Sequence, residues 1–148
     1  MIGIGVVWLN QRTGFLGSLL DAGEENHIIV EDQFVTSWDN LVGTVVITEV
    51  VSDRAAWIVI HEDQNGKPGD AIGRAKISAG VNSNLSVDLD VQSATSKLYA
   101  ILHVDEGKPG IFEYPGVDVP LLINGHMIIQ AFQQRLEWAL RVSPGVVS

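Results

Sequence analysis

The chain has 148 residues, of which 18 are acidic and 9 are basic, so its formal net charge is −9. This length suits one domain with a real hydrophobic core. The negative charge, without any cluster of basic residues, argues against nucleic acid as a partner. The absence of cysteine excludes disulfides, thiolate nucleophiles and thiolate metal sites. No apolar run approaches the ~20 residues of a membrane-spanning helix, so we expect no membrane insertion.

Taken in chain order, the sequence begins with an apolar segment, Met1–Leu9, that predicts a strand. The middle of the chain is a succession of short apolar runs separated by turn residues. Residues 85–89 alternate between apolar and polar side chains, whereas residues 55–62 and 97–104 are apolar on both faces. The further strands are predicted at residues 41–50, 55–62, 71–77, 85–89, 97–104 and 126–132. So many short strands are typical of an antiparallel β-sandwich.

Four dipeptides predict where the chain turns. Asn65-Gly66 and Asn124-Gly125 are strong signals for tight β-hairpins, because both residues tolerate a positive φ. Pro68-Gly69 and Pro109-Gly110 suit the two central positions of type II turns.

A sequence motif that occurs twice, which we call the repeated phrase, is the most specific polar pattern in the chain. Residues 57–69 and 99–110 each contain an aromatic residue, three apolar residues, the pattern His-x-Asp and a turn that ends in Gly-Lys-Pro-Gly. Trp57 and Tyr99, the aromatic residues that open the two phrases, are expected between the two sheets in the core.

The repeated phrase suggests a transition-metal site made by His61, Asp63, His103 and Asp105. Imidazole and carboxylate ligands suit zinc, copper(II) or nickel, and alternation puts the His and Asp of each phrase on one strand face. The expected antiparallel topology argues against a shared site, since it separates the two His-x-Asp ends. In the alternative interpretation, each His bonds the backbone of its own turn and each Asp accepts turn amides.

Calcium is a second candidate cofactor, because oxygen ligands crowd two loops. The two sets are Glu62, Asp63, Asn65 and Asp70, and Asp105, Glu106, Glu113 and Asp118. Neither set has the spacing of an EF-hand, and acidic turns are also common as solvated loops.

Sequence motifs of catalysis are missing from the chain. It has no Gly-x-Ser-x-Gly, no phosphate-binding loop and no His-Glu-x-x-His. No catalytic residue is predicted, and we expect a protein that is not an enzyme.

Several short motifs between residues 27 and 132 are shared with a known family. They are Val30-Glu-Asp-Gln33, Trp57-Ile-Val-Ile-His61, Pro68-Gly69, Gly80 with Asn82 and Asn84, Leu98 to Asp105, and Phe112 to Pro120. On these motifs the chain resembles a domain family of unknown function from secreted and surface proteins of halophilic archaea and some bacteria. The resemblance implies an immunoglobulin-like β-sandwich that is extracellular or at the cell surface, and it implies no activity. Residues 1–26 and 133–148 are then N-terminal and C-terminal extensions of this domain.

The C-terminal extension predicts one more strand. Residues 135–142 alternate strictly, with Leu136, Trp138, Leu140 and Val142 on one face. A helix is the alternative, because most of these residues also favour one. An apolar strand at a chain end pairs either with its own sheet or with a neighbouring molecule.

The leading hypothesis for function is a non-enzymatic extracellular structural or adhesive subunit that forms a homo-oligomer or polymer. Head-to-tail strand addition through the two extensions would build filaments. The interface is expected to bury Trp8, Leu9, Phe15, Leu136, Trp138 and Leu140. The alternative is a monomeric metal- or ligand-binding module that uses the His/Asp turns or the acidic loops for calcium, zinc or copper.

Overall fold

The computed structural model describes residues 26–138, and this part of the chain contains β-strands and no helix. In chain order the strands are β1 (His27–Ile29), β2 (Gln33–Ser37), β3 (Val42–Ser52), β4 (Ala56–Gln64), β5 (Lys67–Ile77), β6 (Gly80–Asp90), β7 (Lys97–Val104), β8 (Leu122–Ile123), β9 (His126–Met127) and β10 (Ile129–Trp138). The predicted all-β class is confirmed. The strand predicted at Met1–Leu9 lies outside the described residues.

Seven of the strands close into one barrel-like sheet. Its order is β3–β2–β10–β7–β4–β5–β6, and β6 returns to β3, with which it pairs from Val42 to Ser52. β2 and β10 run parallel, whereas the other neighbouring strands in the ring run antiparallel. The short β1 pairs with β3 at Glu49–Val51, beyond the point where β2 ends its pairing. Hydrogen bonds therefore join the strands all the way round the domain.

The ring closes through β10, which changes partner halfway along. Ile129–Gln133 pair with β7, and Gln134–Trp138 pair with β2. The strand runs without a break across residue 133, where the C-terminal extension was predicted to begin. The alternation predicted for this extension is confirmed in its described part, since Arg135 and Glu137 are exposed and Leu136 is half-buried against the core.

Side chains of alternate residues fill the inside of the ring. This core contains Val45, Ile47, Ile58, Ile60, Val87, Leu98, Leu102 and Phe132, among others. The prediction that β4 and β7 are covered on both faces is confirmed, because residues 56–61 and 98–103 are all buried. The placement of Trp57 and Tyr99 in the inter-sheet core was wrong. Both are buried, but alternation points them to the outer face of the sheet, away from the core.

That outer face is covered by the long connection between β7 and β10, residues 105–128, which we call the cover segment. Its aromatic side chains lie on the face, where Phe112 packs 5.3 Å from the ring of Trp57. Its backbone also continues the sheet, because Val104 N–H donates to Val119 O and Leu121 N–H donates to Leu102 O. β4 and β7 are thus enclosed between the ring interior and this segment.

The two Gly-Lys-Pro-Gly sequences adopt different structures. At the second one, Ile111 N–H donates to Lys108 O across Pro109-Gly110, and Gly110 has a φ of 78°, as predicted for a type II turn. The turn predicted at Pro68-Gly69 was wrong. Asn65 and Gly66, with φ of 56° and 86°, already reverse the chain, so Pro68 lies in β5. Its missing N–H is tolerated beside the register shift at His61–Asp63.

Candidate functional site

The two histidines of the repeated phrase lie on neighbouring strands. β4 and β7 are antiparallel, as predicted, and their register pairs Trp57 with His103 and His61 with Tyr99. Only the pair Val59 and Ile101 lies between the two histidines, and all of these side chains share the outer face. The expectation that antiparallel strands separate the histidines was therefore wrong. The rings reach across the intervening pair, with their Nε2 atoms 3.0 Å apart and their planes 19° from parallel.

The other nitrogen of each ring is bonded to a backbone carbonyl. His61 Nδ1 lies 2.8 Å from Gly69 O, and His103 Nδ1 lies 2.7 Å from Asp118 O. A carbonyl oxygen can only accept, so both Nδ1 atoms carry hydrogen. When the rings are neutral, each Nε2 atom therefore directs a lone pair at the other ring.

Burial of this histidine pair is nearly complete, because His61 is 2% exposed and His103 is 0% exposed. The ring of Tyr114 stands perpendicular to both imidazoles, with centroids 5.7 Å from His61 and 4.8 Å from His103. Phe112 lies edge-on to His103 at 6.0 Å. The cover segment thus closes the pair off with two aromatic rings.

Two physical effects oppose each other at the histidine pair. Desolvation lowers the pKa of His103 to about 4 and also lowers the pKa of His61, because burial disfavours the charged imidazolium. The facing lone pairs act in the opposite direction, since at 3.0 Å they repel unless a positive charge lies between them. A second proton on the pair is disfavoured by both burial and charge repulsion.

The two aspartates of the predicted four-residue metal site do not join the histidines. Asp63 accepts a hydrogen bond from Tyr99 Oη at 2.7 Å, which raises the pKa of Tyr99 to about 12. Asp105 accepts the N–H of Gly110 at 2.9 Å, in its own turn, as the alternative interpretation predicted. Between residues 26 and 138, no group of three or more His, Asp or Glu residues is placed to hold one metal ion.

Several carboxylates proposed for calcium bind backbone amides instead. Asp118, which is fully buried, accepts Glu106 N–H at 2.6 Å and Glu113 N–H at 2.8 Å, one on each oxygen. Glu113 accepts Lys108 N–H at 3.2 Å, and Glu62 accepts Asp70 N–H at 2.7 Å. These bonds fold the loops around their own acidic residues.

A groove of about 680 Å³ runs along the edge of the site. Glu62, Asp70 and Asp90 contribute carboxylates to its lining. Arg74 also lines it and lies 5.1 Å over the ring of Phe112. Phe112 and Tyr114 belong both to this lining and to the cover of the histidine pair, so these two rings separate the groove from the imidazoles.

Sequence reasoning missed Tyr114 and the carbonyls of Gly69 and Asp118. The run from Phe112 to Pro120 marked the segment as distinctive, but no local pattern showed which strands it covers. Backbone carbonyls leave no residue-type signal, so these two acceptors could not be found from the sequence.

The predicted interface residues are only partly within the described chain. Leu136 packs against the core of its own domain, and Trp138 ends β10. Trp8, Leu9, Phe15 and Leu140 lie outside the described residues.

Together, the closed sheet and the covered histidine pair define an all-β domain with a polar cluster sealed beneath a long connection. The chain belongs to the family described as domain of unknown function DUF7282, whose match spans residues 20–134. The resemblance to a family of unknown function is thereby confirmed. No curated protein and no solved structure matched the chain. Within residues 26–138 there is no helix that is long and apolar enough to cross a membrane.

Asp118→Asn tests how the cover segment is held. An amide keeps one acceptor oxygen but turns an N–H₂ group towards a backbone N–H, so one buried donor loses its partner. We expect the free energy of unfolding to fall by about 1–3 kcal/mol in urea denaturation. Asp70→Asn, at an exposed position, is the control and should stay near wild type. An Asp118→Asn protein as stable as the control would contradict this role.

The histidine pair predicts a loss of stability in acid. The unfolded chain has histidine pKa values near 6.5, so it binds more protons than the folded chain between that pH and about 4. The stabilisation is therefore complete above pH 6.5 and is lost as the pH falls towards 4. For His103 the free energy of unfolding falls by on the order of 3 kcal/mol, at about 1.4 kcal/mol per pKa unit.

Urea midpoints measured across this pH range check the effect. His103→Gln should make stability depend less on pH than in wild type, because the substituted chain lacks this titrating group. The difference between the two proteins reports the contribution of His103. His126→Gln, at an exposed site, should leave the profile unchanged. Parallel profiles for wild type and His103→Gln would show that the pair does not titrate on unfolding.

Proposed function

We propose that this protein is a non-enzymatic structural or adhesive subunit, located outside the cytoplasm, that assembles into a homo-oligomer or polymer by adding strands between copies. The observation that carries the proposal is an apolar face on the outside of the ring. Phe34 is 60% exposed and Trp38 is 75% exposed, and Val42 and Val46 beside them are also exposed. All four line one shallow groove across β2 and β3.

This face is unusual because it exposes two large aromatic side chains to solvent next to each other. Scattered apolar residues are normal on a surface, but a contiguous set rimmed by polar groups marks an interaction site. Here Thr36, Thr44 and Asp88 provide the polar rim. Aromatic anchors of this kind supply much of the binding energy at protein interfaces.

The neighbouring strand supports addition of a further strand. Within the described residues, Arg135–Trp138 pair with β2 alone, so one backbone edge of this part of β10 has no strand beside it. Arg135 pairs with Phe34 in the register, which places this edge next to the apolar face. The occupant we propose is the apolar N-terminal segment of a second copy, residues 1–20, with Trp8, Leu9 and Phe15 buried at the contact.

The polar residues of the repeated phrase support a role that needs no catalysis. Both histidines are sealed, and Asp63 and Asp105 are engaged by neighbouring groups. The apolar face on β2 and β3 is therefore the surface that we propose for a partner.

We further propose that the closed sheet is a variant of the immunoglobulin-like sandwich, in a family from the surfaces of halophilic archaea and some bacteria. The switch of β10 between β7 and β2 and the split of the first strand into β1 and β2 support this assignment. The net charge of −9 suits a protein in high salt.

The test is the size of the assembly by light scattering and electron microscopy of the purified chain. Phe34→Ser with Trp38→Ser should reduce the assembly to smaller species, since the side chains are exposed and add little to folding. Deletion of residues 1–20 should have the same effect. Ile111→Ser, which removes an exposed apolar residue elsewhere, is the matched control. Unchanged assembly in both altered proteins would remove the proposal.

A further inference from the structure

The two rings of the histidine pair have the arrangement of metal ligands rather than that of an ordinary buried hydrogen bond. Both Nδ1 atoms are fixed as donors by Gly69 O and Asp118 O, which leaves both Nε2 atoms as acceptors. These atoms are 3.0 Å apart, and no other partner is bonded to either of them in the described part of the chain. A proton or a metal ion between the two lone pairs relieves their repulsion.

The environment of the two rings matches that of metal-bound histidines. A ligating imidazole typically donates its second N–H to a backbone carbonyl or a carboxylate, which fixes the tautomer and aims the lone pair. Here both rings make such a bond, one to β5 and one to the cover segment.

The number of ligands selects the metal. Zinc in structural sites needs four protein ligands, and calcium needs six or more oxygens. Within residues 26–138 no third His, Asp or Glu is placed to share a metal ion with the two histidines. Copper(I), a d¹⁰ ion that accepts linear coordination by two imidazoles, is the ion that fits two opposed nitrogen ligands.

We infer that His61 Nε2 and His103 Nε2 form a two-coordinate site for a single copper(I) ion. Metal–imidazole bonds of about 2 Å place the two nitrogens about 4 Å apart, so the rings separate by roughly 1 Å on loading. This site goes beyond the proposed role in assembly and does not depend on it, because it lies under the cover segment and away from β2 and β3.

An acidic groove lies beside this site. It carries the carboxylates of Glu62, Asp70 and Asp90, which raise the local concentration of cations. Phe112 and Tyr114 both line the groove and both contact the histidine rings, so these two side chains separate the groove from the site.

The experiment is a titration of the full chain with copper(I), kept reduced in anaerobic buffer, against a chromogenic copper(I) chelator. We expect one copper(I) per chain. His61→Gln and His103→Gln should each weaken binding at least tenfold. His27→Gln and His126→Gln, at the other two histidines of the chain, should bind like wild type.

Two measurements on the wild-type chain make the result independent of how well the variants fold. X-ray absorption should show a near-edge feature of linear copper(I) with two nitrogen neighbours. The ¹⁵N signals of His61 and His103 Nε2 should shift on addition of copper(I), while those of His126 stay in place.

The inference is overturned if the chain binds no copper(I) in competition, or if His126→Gln weakens binding as much as His61→Gln does. It is also overturned if the ¹⁵N signals reveal one proton shared between the two Nε2 atoms that copper(I) does not displace.

Discussion

The structure depends on one constraint, which is that β4 and β7 carry apolar side chains on both faces. Such strands must be covered on both sides. The ring interior covers one side, and the cover segment covers the other. Burying Val59 and Ile101 stabilises the fold, whereas ordering a long connection costs backbone entropy at every residue. The polar bonds of Asp118 and His103 therefore help to hold the segment down.

The pairing of the two histidines is a consequence of their burial in this covered layer. A polar ring inside an apolar layer must satisfy both of its nitrogens. Each imidazole uses Nδ1 to tie down a backbone segment, β5 for His61 and the cover segment for His103. The Nε2 atoms are left to meet each other, so the pairing follows from the packing of the layer. The exposed aromatic residues lie outside this layer, Phe34 on β2 and Trp38 directly after it.

Periodicity predicted the longer described strands, because each is a local property of a few residues, but it did not predict β1, β2 or β8. The class, the double burial of β4 and β7 and the Asn-Gly turns could all be read directly from the residues. The histidine pair could not, since its formation depends on the register between strands forty residues apart and on the reach of two side chains across Val59 and Ile101. Pro68-Gly69 was misplaced for a similar reason. The turn at Asn65-Gly66, three residues earlier, had already reversed the chain, so the residues of a motif alone did not determine its structure.

The parallel pairing of β2 with β10 sets where the polypeptide enters and leaves the domain. The described chain starts at β1, whose His27 faces Val51 near the far end of β3, and it finishes where Trp138 and Ser37 lie beside each other, next to Gly43. Eight residues of β3 separate these two levels, which is about 26 Å at ~3.3 Å per residue. The described part of the chain therefore begins near one end of β3 and finishes near the other, on opposite sides of the ring's height.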